Sequence, residues 1–204
     1  MKRIFLLGIM LGSLLLCYGQ TTAMKVLDQA AAKFKAAGSW TVGYNFSMNG
    51  QQGQGTILMS GQKFRNDLGD PVVWFDGKTM WTLVKANDEV NVTEPTPQEI
   101  ASMNPYAFVS MYKNGYKASF GKSTKQYHEI ILTPNTKAGQ GRAKQIVLRL
   151  VKSSLQPSYV SMTASDGNVV TIHVTSFKSG SKMGDSTFRF HPKSYPDVEV
   201  VDLR

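Results

Sequence analysis

The sequence predicts a mainly β protein with added α structure (α+β): about 11 short strands in one antiparallel sheet, strongly curved or rolled into a barrel. Three observations predict it. The hydrophobic period switches from helical to strand-like at Trp40 and stays strand-like. Strand-like runs then recur at intervals of roughly ten residues, divided by tight-turn signals. The run of strands is broken once, by a capped stretch that carries a proline in its middle.

The elements follow in order. From Met24 to Ala37, "MKVLDQAAAKFKAA" places Val26, Leu27, Ala30, Ala31 and Phe34 at helical spacing, with Thr21 or Thr22 as cap and Gly38 as stop. Next, Trp40, Val42, Tyr44, Phe46 and Met48 alternate with Thr41, Gly43, Asn45 and Ser47, which makes a strand with one apolar and one polar face. Further strands are expected at "GTILMS", "KFRNDL", "VVWF", "TMWTLV", "EVNVT", "KASF", "YHEIILT", "QIVLRLV", "SYVSMTA", "VVTIHVTSF" and "STFRF". Gly69-Asp70-Pro71, Asp76-Gly77, Asn114-Gly115 and Asp166-Gly167-Asn168 supply turns between them.

The interruption is "EPTPQEIASMNPYAFVSMYKNG". Thr96 as N-cap, Pro97 at the first helical position and Glu99 three residues after the cap form a capping box. Pro105 then divides the stretch into helical pieces near Gln98–Met103 and Pro105–Tyr112, because proline removes a backbone donor and clashes with the preceding turn. A kinked helix within a run of strands must cross the sheet or the mouth of a barrel.

The first residues carry Lys2 and Arg3, an apolar run from Ile4 to Leu16, and then small or polar residues. That order is a secretory signal, and the run is too short for a membrane span. Cys17 raises lipidation as an alternative, but Leu16 stands where a small residue normally precedes a lipidated cysteine. Cleavage after Gly19 is favoured, making residues 1–19 a signal peptide and residues 20–204 one domain beginning at Gln20. Cys17 is the chain's single cysteine, so the mature chain has no disulfide and no thiolate nucleophile or metal ligand. A chain of about 185 residues fits one ordinary domain with a sizeable core. Losing Lys2 and Arg3 lowers the formal charge from +9 to +7. That charge suits an anionic membrane surface or a merely solvated basic face better than nucleic acid outside the cytoplasm.

Catalytic patterns are absent from the sequence. His128, His173 and His191 are widely separated and share no metal-ligand spacing. No G-x-S-x-G, P-loop or dinucleotide fingerprint occurs. The acidic residues Asp67, Asp70, Asp76, Asp88, Asp166 and Asp185 mostly flank turns. "KAGQGRAKQ" joins two strands and lacks the helix N-terminus of a phosphate cradle, so it reads as a hairpin loop. The chain reads as a non-enzyme with no cofactor. What it does contain is adaptable apolar material: Met48, Met59, Met80, Met103, Met111, Met162 and the tryptophans Trp40, Trp74 and Trp81, which suit either an ordinary core or the lining of a permissive site.

Four stretches together resemble the LolA family of periplasmic lipoprotein carriers. These are the helix-to-strand start from Met24 to Met48; "QGTILMSGQKFR" from Gln54, like the family's Gly-Thr strand, loop and Phe; "FDGKTMWTLVKANDEVNVTEPT" from Phe75, like its Asp-Gly-Lys-x-x-Trp hairpin; and "STFRFHPKSYPDVEVVDLR". In the last, Phe188, Phe190, Pro192, Val198, Val200 and Asp202 fall where the family has F-x-F-x-P and V-x-V-x-D. The order of the four stretches carries the resemblance more than any one motif.

The resemblance implies an incomplete antiparallel barrel whose open side is covered by helices, with an apolar cavity between. It implies a periplasmic monomer that ferries acylated lipoproteins from an inner-membrane ABC transporter of the Lol type to an outer-membrane receptor or the membrane itself. Carriage of another lipid or glycolipid, or a lipoprotein-sensing module, are the alternatives. Acyl chains are expected against Trp40, Val42, Tyr44, Phe46 and Met48; against Ile57, Met59, Phe64, Trp74 and Trp81; and against Met103, Phe108 and Met111 in a lid jointed at Pro105. The sequence departs from the family at Ser60 and Gly61, where typical proteobacterial members have an arginine that points inward and holds the lid. Arg65, beyond the loop, is the candidate substitute.

Overall fold

The computed structural model describes residues 22–96, 99–100, 112–113, 115–135 and 143–204. The signal segment, Met103, Pro105, Phe108, Met111 and most of "KAGQGRAKQ" lie outside the described residues.

Helix α1 spans Ala23–Ala37. The Thr22 side chain accepts from the Lys25 backbone N–H at 3.2 Å, satisfying one of the donors left open at a helix start. Gly38 ends the helix at φ 72°, where its N–H reaches the Lys35 carbonyl at 3.3 Å and any other residue would be strained. The buried side of α1 is formed by Ala23, Val26, Leu27 and Ala30. Val26 and Leu27 each contribute about 1.5–3 kcal/mol by full burial.

Twelve strands follow: β1 (Ser39–Met48), β2 (Gln51–Ser60), β3 (Lys63–Asp67), β4 (Val72–Phe75), β5 (Met80–Val84), β6 (Glu89–Thr93), β7 (Tyr116–Phe120), β8 (Tyr127–Pro134), β9 (Gln145–Val151), β10 (Pro157–Thr163), β11 (Val169–Ser179) and β12 (Glu199–Asp202). They form one curved, unclosed sheet in the order β12-β6-β5-β4-β3-β2-β1-β11-β10-β9-β8-β7. Consecutive strands pair from β1 to β6 and from β7 to β11; the two runs join where β1 meets β11, and β12 adds beside β6. In sequence the expected kinked stretch falls between β6, second from one edge of the sheet, and β7, at the other edge.

Two expectations need correction. "STFRF" is a 3-10 turn over Asp185–Phe188, with Thr187 N–H bonded to the Gly184 carbonyl at 3.0 Å, because local i to i+3 bonds satisfy its backbone. The twelfth strand is instead Glu199–Asp202, and it pairs parallel with β6, so the sheet is not antiparallel throughout. A C-terminal segment arriving from outside the meander can enter the edge in either direction, and alternation alone does not specify which.

Side-chain alternation divides the sheet into two faces. The inner face packs on α1 and continues from Val73, Phe75 and Met80 through Phe64, Ile57 and Val42 to Leu148 and Leu132. The outer face carries a second, smaller cluster of Val72, Trp74, Leu83, Val90 and Phe190, with Trp81, Tyr195 and Val198 against it. The C-terminal segment closes this cluster. Phe190 and Tyr195 stack at 5.3 Å, and each presents an edge to Trp74, at 5.7 and 6.0 Å.

Candidate functional site: the inner apolar face

The residues expected to hold apolar cargo sort onto the two faces. Trp40, Val42 and Tyr44 on β1, Ile57 and Met59 on β2, and Phe64 on β3 all join the inner cluster, with Phe46 packed at its margin. Met48 continues the same row but is 45% exposed, so β1 runs from a closed end at Trp40 to an open end at its hairpin tip. Trp74 and Trp81 do not share this face. They pair directly across β4 and β5, and both belong to the outer cluster. Both phases of "VVWF" and "TMWTLV" are apolar because that corner is covered on both sides, inside by the main core and outside by the C-terminal segment. Met103, Phe108 and Met111 lie outside the described residues.

The closed end is aromatic. Phe34 of α1 lies 5.4 Å from Trp40 and 5.8 Å from Phe177 of β11, and the last two rings stack at 6.3 Å. Further along, the rings of Tyr44 and Phe46 lie over glycines of β2. A Cβ at Gly55 would stand 2.6 Å from the Tyr44 ring, and one at Gly53 would stand 2.5 Å from the Phe46 ring. The repeated glycines of "QGQGT" therefore let two large rings fold down onto the strand rather than stand up from it.

One polar pair is set into this face. Asn66 is 7% exposed, and its Oδ1 accepts from the Tyr44 hydroxyl at 2.7 Å. Burial pushes the Tyr44 phenol up to about 12, which keeps its hydroxyl protonated as the donor to Asn66. Arg65, the candidate substitute for an inward arginine, has the opposite parity. It sits across from Trp74, with its guanidinium 5.6 Å from that ring and Nη2 3.3 Å from Asp67. It points outward, so nothing at Arg65 reproduces an inward lid contact.

Sequence reasoning missed the far half of the face. Ile130, Leu132, Ile146, Leu148, Leu150 and Val160 are buried in the same cluster as Trp40 and Ile57. Alternation in "YHEIILT" and "QIVLRLV" carried the signal for those positions, but only the β1–β11 pairing joins them to the first strands. Just before β7, Tyr112 is buried and donates to Asp28 of α1 at 2.5 Å, while Lys113 Nζ adds an ion pair at 3.2 Å. The expected capping box is present: Thr96 N–H donates to Glu99 Oε2 at 2.7 Å, and Glu99 N–H to Thr96 Oγ1 at 3.3 Å.

The three histidines stand on separate elements. His128 lies near Phe120, His173 against Tyr159, and His191 Nε2 within 2.8 Å of the Ser186 carbonyl oxygen. Among the described residues no three His, Cys, Asp or Glu side chains converge on one point. The arrangement offers apolar contact area with a buried hydrogen-bonded pair, Tyr44 and Asn66, set into it.

A crystal structure of an uncharacterized conserved protein from Thermus thermophilus is similar over 88% of this chain and 98% of that one, at 11% identity and a TM-score of 0.59. That level of similarity shows a shared fold. Looser overlaps are found with a LolA superfamily protein from Nitrosomonas europaea, at 12% identity, 83% and 98% coverage and a TM-score of 0.43, and with an outer membrane lipoprotein-sorting protein domain from Vibrio parahaemolyticus, at 10%, 81% and 95%, and 0.41. No curated protein sequence matches the chain. A family model described as outer membrane lipoprotein carrier protein LolA matches residues 16–167, more than half of the sequence, and the chain belongs to that family.

Proposed function

We propose that the chain is a non-enzymatic periplasmic carrier whose inner face takes up the acyl chains of lipoproteins and moves them from the inner to the outer membrane. The observation that carries this reading is the continuous apolar face between α1 and the sheet, closed by aromatics at Trp40 and open at Phe46 and Met48. Family membership supports it. The cargo positions on described elements are Trp40, Val42, Tyr44, Phe46, Met48, Ile57, Met59 and Phe64; Trp74 and Trp81 drop out because they face the other way. Residues 1–19 act as the cleaved signal and residues 20–204 as one carrier domain. An inner-membrane ABC transporter loads it, and an outer-membrane receptor or the membrane receives the cargo.

Energetics constrain such a carrier. Burying a chain of about 16 carbons gains roughly 13 kcal/mol, and three such chains almost 40. Non-covalent affinities saturate near roughly 20 kcal/mol. A carrier that also releases its cargo must therefore bury the chains incompletely or offset burial with the cost of opening. A partly exposed row end at Phe46 and Met48 suits incomplete burial.

The test is mass spectrometry of the mature protein purified from periplasm without detergent, together with displacement of a fluorescent fatty acid. Co-purifying triacylated lipoproteins and saturable displacement are expected. Phe46→Asp, at a half-buried position, should lose fatty-acid binding while keeping the wild-type circular dichroism spectrum. Undiminished binding by the folded variant would falsify the assignment of cargo to this face.

A further inference from the structure

We propose that the outer face of β11, β1, β2 and β3 is a second binding site, a trough for a neutral, N-acetylated oligosaccharide. Two adjoining depressions of 720 and 590 Å³ lie on this face and share Asn45 and Gln54 in their walls. Each falls within the range of about 300–1,000 Å³ that suits a small ligand. The depression arises from the backbone. Gly43 has no side chain on this face, and a bulge between Ser176 and Val174 turns Ser176 Oγ over the gap, where it accepts from the Gly43 N–H at 3.2 Å.

The chemistry of the lining selects the ligand class. The full chain has 23 lysines and arginines, yet the outward positions of β1 and β2 from Thr41 to Leu58 carry none. They carry Asn45, Ser47, Gln52, Gln54 and Thr56 instead. The charges on this face stand on the flanking strands, Arg65 and Asp67 on β3 and Lys178 on β11, which leaves the centre of the trough uncharged. Among the described residues, no hydrogen bond from the protein engages the side chains of Asn45, Gln52, Gln54 or Thr56, so their amides and hydroxyl present donors and acceptors outward. At the margins, Arg65 holds Asp67 through Nη2 at 3.3 Å and stands over Trp74, with its Nε buried and unbonded, and His173 lies against the Tyr159 ring.

That set matches hydroxyl and acetamido groups, which also donate and accept, and Leu58 offers an apolar spot for an acetyl methyl. An anionic headgroup or nucleic acid would require free cations. An extended peptide would require an open strand edge, whereas β1 and β2 are hydrogen-bonded on both sides. The outward side chains of the trough, Asn45, Gln52, Gln54 and Thr56, alternate with the acyl-binding positions Tyr44 and Phe46, whose residues also border the depressions, so the two sites use opposite faces of the same strands.

The experiment is a titration of the mature protein with tetra-N-acetylchitotetraose, followed through the side-chain amide NMR signals of asparagine and glutamine. Saturable shifts of Asn45 and Gln54 are expected. The double variant Asn45→Ala/Gln54→Ala, at two exposed positions, should bind at least about tenfold more weakly while fatty-acid displacement on the inner face is unchanged. Maltotetraose, which lacks acetamido groups, should bind more weakly than the chitotetraose. No saturable shift at millimolar sugar, an unchanged affinity in the double variant, or equal binding of maltotetraose would each overturn the proposal.

Discussion

The glycines at positions 53 and 55 set how the two central rings lie, and they differ in what a methyl group would cost. Tyr44 is buried and tethered to Asn66, so its ring cannot swing away from a Cβ at Gly55 without breaking that hydrogen bond in the core. Phe46 is half-buried and has no such tether, so its ring can rise from Gly53 toward the open end. Gly55→Ala should therefore destabilise the fold by about 1–3 kcal/mol, the usual cost of overpacking, and Gly53→Ala by clearly less. Urea unfolding of the two variants checks the order; equal costs would mean that the Tyr44–Asn66 bond does not restrain the ring. Gly55 opens the strand expected at "GTILMS", whereas Gly53 falls before it, in the part of β2 that extends back to Gln51. Which ring lay over which glycine required the β1–β2 register.

At the level of elements, the β4–β5 turn and the C-terminal segment depend on Asp76. Its Oδ1 accepts from the backbone N–H groups of Lys78 and Thr79 at 3.1 and 3.0 Å, and Oδ2 lies 3.0 Å from Arg189. Burial works against ionisation of this carboxyl, but the Thr79 and Lys78 hydrogen bonds and the Arg189 charge outweigh it and hold its pKa below the ordinary value. A carboxyl depressed in the folded state stabilises the protein above its unfolded pKa, about 3.9, and loses that contribution as pH falls through the folded value. Asp76→Asn should cost about 1.5–3 kcal/mol at neutral pH, in the range of hydrogen bonds to a charged group. The gap to wild type should close below about pH 4. Urea midpoints at pH 7 and pH 3 test this; a gap that persists in acid would show that geometry, not charge, holds the turn. The turn itself was readable from Asp76-Gly77, but its tie to Arg189 was not, because more than a hundred residues separate the partners.

On the scale of the molecule, the sheet has two apolar faces with different owners. The inner cluster belongs to α1 and the far strands, and the outer one to the C-terminal segment. An acyl chain on the inner face would lie near Trp40 and be separated from Trp74 and Trp81 by the sheet. A brominated fatty acid should therefore quench Trp40 fluorescence and spare the other two. Trp40→Phe should remove most of the quenching, whereas Trp74→Phe should leave it intact. Quenching that survives in Trp40→Phe would place the ligand on the outer side.

The sequence by itself determined the mainly β architecture, helix α1 with a threonine cap at Thr21 or Thr22 and its Gly38 stop, nearly all the strands and the inward row Trp40, Val42, Tyr44. Each rests on local periodicity or on backbone preferences that act over a few residues. Only the tertiary structure decided that Trp74, Trp81 and Arg65 face outward, that "STFRF" is a turn, and that β12 joins β6 in parallel. In "VVWF" and "TMWTLV" burial on both sides erases the alternation that distinguishes one face from the other. The closing segment is placed by contacts with strands about a hundred residues earlier in the chain, which no local pattern encodes.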